Sequence, residues 1–166
     1  MSGPPPRFIS PPGFARLRAE YDRLFGVERP NLVETISWAA ANGDCSENGD
    51  YIYGRKKLRE VDRRLSFLAK AMKAAKIVDP AAQESRDQVR FGATVELVDE
   101  HDRRRTLTIL GNDEADASAG IIGWSAPIAR ALIGARVGEE RVVRLLAGEI
   151  SYEIVAIRYP PRAETI

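Results

Sequence analysis

Six apolar residues in the middle of the chain, Leu58, Val61, Leu65, Leu68, Met72 and Ala75, follow one another at spacings of 3, 4, 3, 4 and 3. That alternation repeats with the heptad and puts all six on one side of an α-helix, so the helix needs a partner helix along its length. The preceding stretch supplies one. Leu17, Tyr21 and Leu24 are followed by Leu32, Ile36, Ala39 and Gly43, the same pattern except at one point. Between Leu24 and Leu32 the gap is 8, one more than a heptad, and Gly26 and Pro30 fall inside it. Proline cannot donate the helical hydrogen bond, so a local irregularity or bend is predicted there. Each helix runs about 30 residues, roughly 45 Å at the helical rise. Two helices of equal length joined by a few residues form an antiparallel hairpin.

The hairpin accounts for residues 13–79, with its tip at 43–50. Ahead of it, residues 1–12, MSGPPPRFISPP, are proline-rich and read as a flexible N-terminal tail. Ser10 before Pro11 and Pro12 reads as a helix start: a capping hydroxyl, then prolines where backbone N–H groups lack partners anyway. After KIVDP the chain changes character. FGATVELVDE and RRRTLTILG are β-type segments around the polar turn HDRR, APIARALIG reads as a short helix, and ERVVRLLAG with EISYEIVAIRY reads as a closing hairpin. Strands with one short helix give a small β-rich domain over residues 85–160. The expected fold class is therefore α+β, an N-terminal antiparallel coiled-coil hairpin followed by that domain.

With 44% hydrophobic and 30% charged residues in 166, the composition is that of a folded globular protein and not of a disordered one. No apolar run approaches the length of a membrane span, and no charged-then-apolar signal opens the chain. The single cysteine, Cys45, cannot form an internal disulfide, and these features together suit the cytoplasm. The overall charge of +1 hides a division. Residues 47–79 carry 9 Lys and Arg against 5 Asp and Glu, whereas residues 80–166 carry 11 against 14. Such asymmetry points to two modules with different partners.

The tip, GDCSENGD, sets Asp44, Glu47 and Asp50 at the turn between the two helices. Three readings compete. Asp44 and Glu47 have the spacing of a capping box, with Asp50 adding a favourable charge in the first helical turn. Asp44, Ser46, Asn48 and Gly49 imitate the start of an EF-hand, but the twelfth position, which needs a bidentate Glu, is Arg55, and that reading fails. The third reading is a half-site: two exposed carboxylates hold Mg2+ only weakly alone, and become useful when another macromolecule supplies the remaining ligands.

The stretch ERPNLVETISWAAANGDCSENGDYIYGRKKLREVDRRLSFLAKAMKAAKIVDP resembles the bacterial Gre transcript-cleavage factors, most of all the GreB type. GDCSENGDY matches the family's tip motif, GDxSEN followed by an acid and Tyr. APIARALIGARVGEE resembles a stretch of the family's C-terminal domain, and ISPPGFARLRAEY resembles its usual start; the likeness spans about residues 9–159. The resemblance implies that the hairpin enters the secondary channel of RNA polymerase while an FKBP-like C-terminal domain grips the channel rim. It implies that Asp44 and Glu47 are the catalytic tip acids, helping to hold a Mg2+ shared with the polymerase site. They thereby stimulate cleavage of backtracked RNA, whose 3′ end protrudes into the channel. Ser46, Asn48 and Tyr51 are implied to support the tip. Arg55, Lys56, Lys57, Arg59, Arg63 and Arg64 form a basic face toward the RNA, and Ser125 and Pro127 lie at the rim contact. The protein would be an accessory factor rather than an enzyme, a monomer, without a membrane partner.

The chain departs from the family at Cys45, where a basic or aliphatic residue is common, and at Ser125 in WSAP, where an acid is frequent. His101, the only histidine, falls in a predicted turn and reads as a surface residue. Two rivals remain: a channel-binding regulator or inhibitor without cleavage stimulation, and a scaffolding hairpin with a peptide-binding domain and no polymerase role. The intact acid pair favours cleavage stimulation over the first; binding to purified polymerase separates it from the second.

Overall fold

The computed structural model describes residues 6–42 and 48–162. The chain divides into two compact units, Phe14–Ala74 and a discontinuous one made of Met1–Gly13 with Ala75–Ile166. The fold class is α+β, as the hydrophobic periodicities require.

The first unit is helical. Helix α1 (Pro11–Arg23) runs into a π-helical turn, Leu24–Glu28, and on into α2 (Arg29–Ala41); α3 (Gly49–Ala74) packs along α2. The irregularity expected between Leu24 and Leu32 is this π turn. The Arg29 N–H bonds to the Leu24 carbonyl, five residues back instead of four. A π turn accommodates one extra residue, which absorbs the eighth position and keeps Leu17, Leu24 and Ala39 on the buried side. On α3 the buried residues are Gly54, Val61, Leu65, Leu68 and Ala71. Gly54 belongs to the seam because a Cβ there would come within 2.8 Å of Ile36 Cγ1. Ion pairs cross the seam, among them Arg29 to Asp62 at 2.8 Å and Arg64 to Glu20 at 2.6 and 3.0 Å.

The second unit holds a five-stranded sheet in the order β5-β4-β3-β7-β6. The strands are β3 (Thr94–Asp99), β4 (Arg104–Leu110), β5 (Ile121–Gly123), β6 (Glu140–Leu145) and β7 (Gly148–Arg158), all antiparallel except β5 against β4. Val95 and Leu97 of β3, Leu107 and Ile109 of β4, and Ile154 of β7 alternate onto one face. Leu132 of the short helix α4 (Pro127–Leu132) joins that core. Two further strands, β1 (Arg7–Ile9) and β2 (Ala75–Ile77), pair in parallel, Ile9 opposite Ile77. Among the described residues no helix is long and apolar enough to cross a membrane.

Of the flexible tail expected over residues 1–12, the part from Arg7 onward is corrected by β1 and the start of α1. The proline-free triplet of β1 has reasons to be ordered. Ile9 is 1% exposed, Phe8 packs edge-on against Trp124 with ring centroids 5.0 Å apart, and Arg7 forks onto Asp113 at 2.7 and 2.8 Å. Pro11 and Pro12 are the first turn of α1, so the helix starts before residue 13; at its far end α3 stops at Ala74, and Ala75 belongs to a strand. Ser10 caps α1 as expected, its hydroxyl accepting the Gly13 N–H at 3.2 Å. Its partner on the other side is the buried Glu114 carboxylate, which accepts the Ser10 hydroxyl, the Ser10 N–H at 3.0 Å and the Gly111 N–H at 2.8 Å. A Cβ on Gly13 would collide with that carboxylate, so the position requires glycine.

Candidate functional site: the end of the helical hairpin

Asp44, Ser46, Glu47 and Cys45 lie outside the described residues. The site is therefore built from what flanks them. Helix α3 begins at Gly49, and the residue before it, Asn48, serves both helices. Its Oδ1 accepts the N–H groups of Asp50 and Tyr51 at 3.1 and 3.2 Å, while its Nδ2 donates to the Ala39 carbonyl of α2 at 2.8 Å. The same carbonyl accepts the Asn42 N–H, and Asn42 Nδ2 donates to the Trp38 carbonyl. Two asparagines thus satisfy two of the last carbonyls of α2 and two of the first N–H groups of α3. The capping-box reading of Asp44 and Glu47 falls on residues outside those described; at the start of α3 itself, Asn48 makes the cap contacts. Asp50 occupies the first turn, where its charge favours the helix N-terminus.

Tyr51 is half-buried. Its hydroxyl accepts a hydrogen bond from Arg55 Nη1 at 3.0 Å, and the Arg55 guanidinium lies 5.7 Å from its ring centroid. Asn48 and Tyr51 are therefore held in place by α2 and α3 themselves.

The six cations expected to form one basic face divide into two groups. Arg55 is engaged with Tyr51, Lys57 lies 3.7 Å from Glu60, and Arg64 bridges to Glu20 and covers the Phe67 ring. The Arg64 hydrogen bond holds the Glu20 carboxyl below its ordinary value. Lys56, Arg59 and Arg63 make no hydrogen bond or ion pair among the described residues, and all are exposed. They recur at helical spacings of 3 and 4 and share one outward side of α3, to which Lys70 adds a fourth cation. The face is a narrow stripe of uncommitted charge, flanked by cations engaged within α3 or, for Arg64, with Glu20 of α1.

In the second unit, Ser125 and Pro127 are both exposed. Ser125 donates its N–H to Asn112 Oδ1 at 3.1 Å, and Pro127 opens α4, its missing N–H falling in the first turn. Trp124 and Ser125, with Arg130 and Ile133, line an open depression beside α4. His101 is exposed in the β3–β4 turn, donating its N–H to Asp99 Oδ1 at 2.8 Å, as befits a surface residue. No group of three or more His, Cys, Asp or Glu able to hold a metal ion occurs among the described residues. Two exposed aromatic side chains near the hairpin end, Trp38 and Tyr53, were not singled out from the sequence. The available signal was that both fall off the apolar seam.

Comparison with known proteins bears on the whole chain. Residues 7–77 match the family described as "Transcription elongation factor, N-terminal", and residues 83–159 match "Transcription elongation factor, GreA/GreB, C-term". The chain is 45% identical over 159 residues to the transcription elongation factor GreB of Neisseria meningitidis serogroup B, covering 96% of this chain and 98% of that protein. It is 44% identical to GreB of Pseudomonas aeruginosa over 95% of this chain and 96% of that one. It is 41% identical to GreA of Alkalilimnicola ehrlichii over 89% and 94%. Among solved structures, a GreA/GreB elongation factor from Nitrosomonas europaea matches with a TM-score of 0.41 at 20% identity, over 94% of this chain and all of that one. With both halves matched and relatives at this identity aligned nearly end to end, the chain belongs to the GreA/GreB family of transcription elongation factors, with the GreB type.

Proposed function

We propose that the protein inserts its hairpin into the secondary channel of bacterial RNA polymerase and stimulates the polymerase's own cleavage of backtracked RNA. The observation that carries this reading is the tip motif GDCSENGDY, set at the end of a helical hairpin whose cap is made by Asn48. Asn48 occupies the cap position of α3, so the reading needs no capping role for the acids at 44 and 47 there. Two carboxylates are suitable hard-oxygen ligands for Mg2+ but an incomplete set. Asp44 and Glu47 would hold the second ion together with ligands from the polymerase and help position the attacking water, in a two-metal site that would activate that water with one ion and stabilise the leaving oxygen with the other. This chain's own contribution is positional: Asn48 and Tyr51 fix the tip, the stripe Lys56, Arg59 and Arg63 faces the phosphates of the extruded 3′ end, and Ser125 and Pro127 meet the channel rim. Such a protein works in the cytoplasm, as a monomeric accessory factor.

A stalled, backtracked elongation complex incubated with and without the protein tests the reading. Added protein should shorten the RNA. Asp44→Asn should change folding stability by about 0.5 kcal/mol or less, retain polymerase binding, compete with the parent protein, and lose stimulation by orders of magnitude. Normal stimulation by that variant would overturn the metal role. Polymerase binding without any RNA shortening by the parent protein would mark a channel regulator instead.

A further inference from the structure

Two aromatic side chains near the hairpin end bury little of themselves: Trp38 on α2 is 64% exposed and Tyr53 on α3 is 67% exposed. Each helix already commits its apolar side to the seam, so packing within the protein does not explain them. They lie at the same level of the hairpin. Ile36 meets Gly54 at one crossing and Ala39 meets Asn48 at the next, and these two ties bracket Trp38 on one helix and Tyr53 on the other. On α3, Tyr53 is three residues before Lys56, the first cation of the uncommitted stripe, and neighbours three or four apart share a helix face. Ile52, also exposed, is four residues before the same lysine. Of the nearby acids, Asp50 lies in the first turn and Glu60 is already opposite Lys57.

An exposed aromatic adjoining unpaired cations is the pattern of a single-stranded nucleic-acid groove, in which rings stack on bases and cations track phosphates. We propose that Tyr53 is a stacking platform for an unpaired RNA base, with Trp38 a second exposed ring at the same level of the other helix, and that the strand's phosphates continue along Lys56, Arg59 and Arg63. This deepens the function proposed above and rests on it. The positive stripe favours a polyanion over an apolar channel wall as the occupant. Stacking also suits the task, because every base offers a π-face and backtracked RNA can carry any sequence. Tyr53 and Trp38 are positioning residues in this scheme; neither touches the reacting atoms.

The test uses backtracked complexes whose extruded RNA carries 5-iodouridine, irradiated in the presence of the full-length protein. The expected crosslink maps to the peptide containing Tyr53 or Trp38. In parallel, Tyr53→Ala at subsaturating concentration should lower stimulation about tenfold on complexes backtracked by several nucleotides, the order expected for one lost base stack. Tyr53→Phe should act like the parent protein, and complexes backtracked by a single nucleotide should respond equally to all three. Absence of the crosslink, with Tyr53→Ala and Trp38→Ala both fully active, would overturn the platform while leaving the cleavage reading intact. Equal loss of polymerase binding by Tyr53→Ala with and without extruded RNA would overturn it in favour of a protein contact. A parent protein that shortens no RNA would remove the platform and the function beneath it.

Discussion

Asn48 places its carbonyl oxygen on two N–H groups of α3 and its amide on a carbonyl of α2. Asn48→Ala should therefore lower stability by about 1–2 kcal/mol, from a lost cap and a lost interhelical bond, read as a shifted midpoint in urea unfolding with unchanged slope. Asn48→Asp keeps the acceptor and loses the donor to Ala39, and should fall between. An unchanged midpoint for Asn48→Ala would remove the asparagine from its capping role. The family resemblance named this residue as a support of the tip, but the sequence did not single it out as the helix cap. Asp44, Ser46, Asn48 and Asp50 are all cap-forming types within seven positions, and the spacing of Asp44 and Glu47 fits the capping box. What ranks them is where α2 offers a carbonyl, a tertiary fact invisible to local pattern. The Ser10–Glu114 contact was illegible for a related reason: its partners are far apart in sequence, and only the Ser10 half carries a local signal.

At the scale of elements, the hairpin was legible because its seam repeats within a few residues at a time. The gap of 8 marked the fault, and the π turn at Leu24–Glu28 is its physical form. Deleting Gly26, an exposed residue with open space around it, should restore a continuous heptad. The shortened helix should unfold at the same or a higher temperature, because every downstream seam residue keeps its place. Deleting Thr35 instead rotates Ile36 and Ala39 off the seam and should destabilise the hairpin strongly. If both deletions cost alike in thermal unfolding, the π turn is not accommodating the extra residue. The Glu20–Arg64 bridge adds a pH dependence. Hydrogen bonding to Arg64 lowers the Glu20 carboxyl below its ordinary value of 4.5. Its contribution is therefore full above that pH and is lost as pH falls through the folded-state value. Glu20→Gln should flatten the acid limb of a plot of melting temperature against pH, and leave the neutral region with a constant offset. The three-residue strands β1, β2 and β5 escaped notice because so short a run shows no alternation; only their pairing defines them.

For the whole molecule, the notable connection is that the helical unit is spliced into the β-rich one. Strand β1 precedes it, β2 follows it, and the two lie side by side with Ile9 opposite Ile77. The division into a hairpin and a β-rich region was readable from the change of period near KIVDP, whereas the contribution of residues 7–9 to the second unit depends on a pairing no local pattern encodes. That splice dictates an order of assembly. Joining positions 9 and 77 through an unfolded segment carries a closure entropy that grows with loop length, and contacts distant in sequence slow folding. A hairpin formed first, from contacts local to itself, returns its own ends together and shortens the loop left to close. Trp124 reports the later event, since its ring meets Phe8 of β1. In a Trp38→Phe background, Leu65→Ala should therefore slow the refolding step seen by Trp124 fluorescence, although the substitution lies in the other unit. A refolding rate indifferent to Leu65→Ala would mean that β1 and β2 find each other without the hairpin's help. On that order the helical hairpin forms before β1 and β2 pair, and an elongation factor emerging from synthesis stays open at β1 until the residues of β2 have followed.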